Sequence, residues 1–131
     1  MKRLLFLIFL VSNLISPFPK KVDCWAWIGF NYDQYVPLNI VGTAQFKGVL
    51  DESLLCKALD IMQKWHPSLA CSAYYDKDSR SWILQKSDAP IPLHITVRTS
   101  DTHWQTIMSD ELDNKLSTSD GPFARVTYCK G

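Results

Sequence analysis

Three histidines and four cysteines are the side chains in this chain best suited to act as general bases, nucleophiles or soft metal ligands near neutral pH. A general base needs a polar neighbour to orient it and a cleft to work in. His66 stands in Trp65-His66-Pro67, at the end of an apolar-striped run. There an imidazole can meet the last free carbonyls of a helix and the negative end of its dipole. His94 alternates with Leu93 and Ile95, on the polar face of a strand-like run, and His103 opens a second striped run. His66 therefore reads as a helix terminus, and His94 and His103 as surface residues. Cys24, Cys56, Cys71 and Cys129 lie far apart, form no C-x-x-C pair and make no metal-ligand spacing with the histidines. They are expected to be free thiols, buried as small hydrophobes. The serines lack the glycine pattern of a nucleophile elbow, and no phosphate-binding loop occurs. Spacing alone assigns no catalytic, cofactor-binding or metal-binding residue.

The elements that would position these residues follow from hydrophobic period and punctuation. "LNIVGTAQFK", residues 38–47, is β-branched and aromatic with partial alternation and predicts a strand closed by Gly48. "DESLLCKALDIMQKW" switches to a helical period. Leu54, Leu55, Ala58, Leu59, Met62 and Trp65 form its stripe, and Asp51, Glu52 and Ser53 offer acids and a cap in its first turn. Pro67 disfavours helical backbone at the residue before it and has no N–H to donate, so the helix must stop near His66. "LACSAYY" and "SWILQK" flank the turn "DKDSR" and predict a hairpin. "IPLHITVR" is a further strand, and "SDTHWQTIMSDELDNKL" a second helix capped by Ser100 or Asp101. Its apolar face is Trp104, Ile107, Met108, Leu112 and Leu116. After "SDGP", "FARVTYC" is a last strand. The order strand, helix, three strands, helix, strand predicts an α/β fold, a two-layer sandwich of helices on a mixed sheet.

The 131 residues are enough for one domain, and 47% hydrophobic with 21% charged residues marks a globular chain. Net charge is +1, with Lys and Arg scattered, which removes the electrostatic case for a nucleic-acid partner. Residues 1–21 read as an apolar leader or extension. "MKRLLFLIFLVSNLIS" has two positive charges and then an apolar run, the shape of a signal peptide, but it is too short for a comfortable membrane span and lacks a clean cleavage site. The folded body is expected to begin between Val22 and Tyr35. A cytoplasmic setting is expected, with membrane association or secretion through residues 1–16 as the alternative.

The stretch "VPLNIVGTAQFKGVLDESLLCKALDIMQKWHPSLACSAYY", followed by "GPFARVTY", resembles the N-terminal part of the condensation-domain and chloramphenicol-acetyltransferase-like acyltransferases, including alcohol acyltransferases, wax-ester synthases and polyketide-associated acyltransferases. The features that carry it are the strand ending at Gly48, the helix running to His66-Pro67-x-Leu69, and the Gly121-Pro122-x-x-Arg125-Val126 entry into a strand. It covers residues 33–131, and implies that these form a C-terminally truncated part of such a domain. The implied fold is the N-terminal half of a chloramphenicol-acetyltransferase-like fold, and the implied activity is acyl transfer to an alcohol or amine, in lipid biosynthesis or secondary metabolism. The donor would be an acyl-CoA or acyl-carrier-protein thioester, with no resident cofactor.

In that family the histidine at the helix end is structural, and catalysis comes from a later H-H-x-x-x-D-G loop. This sequence has Ser119-Asp120-Gly121, but Lys115 and Leu116 stand where the two histidines would be. Lys64-Trp65 and Ala70 occupy places where condensation domains usually carry arginines, which favours the alcohol-acyltransferase branch. The expectation is a piece inactive alone, whose partner is a second chain bearing the missing half-domain. The alternative is a non-catalytic binding or interaction module, with the aromatic surplus at an interface.

Overall fold

The computed structural model describes residues 2–8 and 19–131. Its elements are β1 (Lys2–Ile8), β2 (Lys20–Lys21), α1 (Cys24–Asp33), β3 (Val41–Lys47), α2 (Glu52–Trp65), β4 (Cys71–Asp76), β5 (Ser81–Lys86), β6 (Leu93–Val97), α3 (His103–Asp113) and β7 (Val126–Lys130), with a single 3-10 turn at Pro67–Leu69. The class is α/β. From β3 onward the order is the expected one. The N-terminal part is not. Residues 2–8, expected to lie outside the folded body, form β1 between β3 and β7. The remainder of the apolar run, residues 9–18, lies outside the described residues.

The strands make two sheets rather than one. A four-stranded sheet runs β3-β1-β7-β6, antiparallel except for the parallel β6–β7 pair, which α3 connects. A three-stranded antiparallel sheet runs β2-β5-β4, built on the expected hairpin with Cys71 opposite Lys86 and Asp76 opposite Ser81. Strand β7 explains why a two-layer description is too simple. Val126 and Tyr128 pack in one cluster with Leu55 and Leu59 of α2, while Cys129 packs with Ile107 of α3. Successive residues of a strand point to opposite faces, so the two helices cover opposite faces of β7.

Helix α2 forms as its sequence dictates. The Asp51 carboxylate accepts from the backbone N–H groups of Ser53 (2.8 Å) and Leu54 (3.0 Å), satisfying donors that the first turn leaves free. Leu55 and Leu59 are buried and Met62 packs beside them, whereas Leu54, Ala58 and Trp65 fall on the flank and are exposed. At the far end His66 leaves the helical region (φ −121°, ψ 89°), the backbone that the residue before a proline favours.

Helix α1 had no expected counterpart. Asp23 caps it, accepting from Ala26 N–H at 2.8 Å. Phe30, with Ala26 and Val22, packs on Trp82, Ala73 and Leu84 of the second sheet. Trp25, Ile28 and Tyr32 face outward, with Trp25 79% exposed. Being apolar on both sides, the segment shows no stripe for periodicity to detect.

Candidate functional site

The two segments that carry the sequence resemblance meet in space against β4. Past α2, Leu69 N–H donates to His66 O (2.8 Å) and Ala70 N–H to Pro67 O (2.9 Å), forming the short turn that Pro67 starts. Gln63 on α2 holds that turn from inside, its amide donating to Leu69 O and to Ala89 O, both at 2.8 Å. From the other side, Ala73 N–H donates to Thr118 O (2.7 Å) and the Ser87 hydroxyl donates to Asp120 O (3.0 Å). Gly121 (φ +56°) then passes so near β4 that a Cβ would lie 2.4 Å from the Cys71 carbonyl oxygen. Only glycine suits that approach and that backbone.

An open groove of about 550 Å³ runs beside this junction, lined by Asp60, Gln63, Lys64, Pro67, Lys86 and Ser87 among others. Lys86 Nζ lies 3.2 Å from the Asp88 carboxylate, so one wall is an exposed ion pair. The groove offers charge and hydrogen-bond donors, with no nucleophile and base in contact.

The histidines stand on three separate elements. His66 is exposed at the end of α2, and His94 is exposed on β6. His103, in the first turn of α3, accepts from Thr99 N–H through Nδ1 at 3.2 Å. Expected caps Ser100 and Asp101 do not cap α3. Its N-cap is Thr102, without a side-chain hydrogen bond, while Asp101 pairs instead with Arg98. The four cysteines are free. Cys71 and Cys129 are buried as expected, but Cys24 and Cys56 are exposed, because each lies on a helix face turned from the core. Burial pushes the Cys71 thiol up to about 11, and its Sγ donates to Ser68 O at 3.0 Å. Burial also raises the Cys129 thiol, with Arg98 opposing the shift. Neither is poised as a thiolate nucleophile. Among the described residues no group of three His, Cys, Asp or Glu side chains could hold a metal ion. No helix of the described residues is long and apolar enough to cross a membrane.

Arg125, the last polar residue of the Gly121-Pro122-x-x-Arg125 motif, is anchored rather than offered to solvent. Its guanidinium pairs with the Glu111 carboxylate and donates to the backbone carbonyls of Glu111 and Asn114 at the end of α3. Thr127 donates to the same carboxylate at 2.6 Å, and the Asn39 side chain donates to the carbonyls of Glu111 (2.8 Å) and Asn114 (2.6 Å). Carbonyls of Glu111 and Asn114 at the end of α3, where helical partners run out, thereby gain partners. Glu111 was missed in the sequence, where it follows Ile107 by four residues and so sits on the apolar stripe of α3. An acid at such a position is the signal of a buried partner. Leu112 and Leu116, assigned to that stripe, do not complete it: Leu112 is exposed and Leu116 lies beyond the helix.

Comparison with protein-family models, with curated proteins and with solved structures finds no match.

Proposed function

We propose that these residues form the N-terminal part of a condensation-type acyltransferase, with a chloramphenicol-acetyltransferase-like fold. Acyl transfer from a thioester to an alcohol or amine then needs further polypeptide, in cis or in trans, that carries the H-H-x-x-x-D-G loop. The proposal rests on the meeting of the two motif segments: the Gly121-Pro122 passage lies against β4, the strand that continues from the His66-Pro67 turn, and Ser87 bonds to both Ala70 O and Asp120 O. Two segments about 50 residues apart that carry one resemblance and also meet in space support a common family architecture more than either does alone. The exposed position of His66, its N–H bonded to Met62 O, accords with a helix terminus. An acyl-CoA or acyl-carrier-protein thioester would be the donor, and a cytoplasmic setting fits such a donor. The test is an acyl-transfer assay with an acyl-CoA and an alcohol. The 131-residue chain by itself should show no turnover, and robust turnover would refute the proposal.

A second reading, a non-catalytic interaction module, draws on α1. A helix apolar on all sides is ordinarily buried, yet Trp25, Ile28 and Tyr32 face outward. On this reading the outer stripe of α1 contacts another polypeptide, and no acyl transfer appears even when a half-domain with the histidine loop is supplied.

A further inference from the structure

We infer that β3 is the contact strand of a homodimer in which two copies join edge to edge through an antiparallel β3–β3 pair. The inference is independent of any acyl-transfer role. β3 is an outer strand of the four-stranded sheet and pairs with β1 alone among the described residues. Its outward backbone N–H and C=O groups have no backbone partner among the described residues. Such an edge is a template for another strand unless it is short, charged, interrupted by proline or bulged. β3 has only one of these protections, the lysine at its last position. It runs seven residues, Val41–Lys47, and is uncharged until Lys47. Its register with β1 is unbroken from Val41 opposite Ile8 to Lys47 opposite Lys2. Gly42, Thr43, Ala44 and Gln45 are all exposed. The opposite edge, β6, is only five residues long and follows Pro92.

The strand's own sequence accommodates a second copy as the added strand. A two-fold axis at Ala44 sets Ala44 opposite Ala44, Thr43 opposite Gln45, Gly42 opposite Phe46 and Val41 opposite Lys47. No like charges then face each other, the largest ring meets a glycine, and two polar side chains meet as a hydrogen-bonding pair. Every contact off the axis is made twice, as a closed two-fold interface requires.

Light scattering on the full chain tests the inference. The wild-type protein should have twice the mass of one chain at micromolar concentration. Ala44→Lys places two ammonium groups in contact at the axis and should give a monomer with an unchanged circular dichroism spectrum. Ala44→Glu should do the same, and mixing the two variants should restore the dimer. A wild-type monomer at every concentration overturns the inference. So does an Ala44→Lys protein that remains dimeric, because the copies would then meet elsewhere, for example through the outer stripe of α1. Ala44→Cys in a Cys24→Ser, Cys56→Ser background covers the case of poor folding in the charged variants. It should form a disulfide-linked dimer under mild oxidation, and failure to cross-link would also overturn the pairing.

Discussion

Glu111 is the residue whose environment most exceeds what its neighbours in sequence suggest. Only 8% exposed, it gives its carboxylate to Arg125 and Thr127. Removing one partner of a buried pair strands the other, at a cost of about 3–5 kcal/mol, so Glu111→Ala should lower the denaturation midpoint steeply. Because the Arg125 side chain keeps slight solvent access, the lower end of that range is expected. The double variant with Arg125→Met should recover part of the loss, and strict additivity of the two single effects would contradict the pairing. Asp51 shows the reverse situation, an exposed carboxylate held below its ordinary 3.8 by the Ser53 hydroxyl and the Leu54 N–H. A carboxylate with a depressed folded pKa stabilises fully above its unfolded value and loses that contribution as pH falls through the folded one. The stability gap between wild type and Asp51→Ala, measured by urea melts, should therefore be open at pH 7 and narrow below pH about 3.9. A gap independent of pH would contradict the cap. The thiols sort by burial in the same manner. At pH 8, iodoacetamide should modify Cys24 and Cys56 in the folded protein and reach Cys71 and Cys129 only after unfolding, because burial raises both thiols and restricts access. Mass spectrometry showing Cys71 alkylated under native conditions would count against the core described above.

At the scale of elements, α2 tests whether the apolar stripe faces the sheet. Leu59 is buried in the cluster that joins α2 to Val126 and Tyr128 of β7. Leu59→Ala should cost about 2–5 kcal/mol, whereas the same change at Leu54, on the exposed flank, should cost less than about 1 kcal/mol. Equal effects would mean that the helix is rotated. What could be read in advance divides along physical lines. α2, the β4–β5 hairpin, β6, α3 and β7 were legible because each has a single buried face or a strong stop: Pro67, the turn with Asp76, Pro92 and Gly121. α1 was not, since apolar residues on both sides erase the helical period. β1 was not either, because a short apolar run after two positive charges has the pattern of a leader as much as that of a central strand. The separation of the β4–β5 hairpin from the four-stranded sheet, and its third strand β2 with only two paired residues, leave no mark in the sequence. At the candidate site, the segments around His66 and Gly121 were legible from their prolines and glycine. Their convergence on β4 and the Glu111–Arg125 pair were not, being contacts between residues distant in the chain.

The whole molecule brings the motif segments together, while among the described residues His66, His94 and His103 stand apart on α2, β6 and α3. We propose that acyl transfer belongs to the assembled fold and that His66 only ends a helix. The direct measurement is turnover of an acyl-CoA and an alcohol by the 131-residue chain, alone and then joined with a condensation-type half-domain carrying the H-H-x-x-x-D-G loop. The account predicts no turnover alone and turnover in the joined protein, retained in large part by His66→Gln and abolished by changing the second histidine of the loop. Robust turnover by the 131 residues alone, or its collapse in a folded His66→Gln protein, would contradict it.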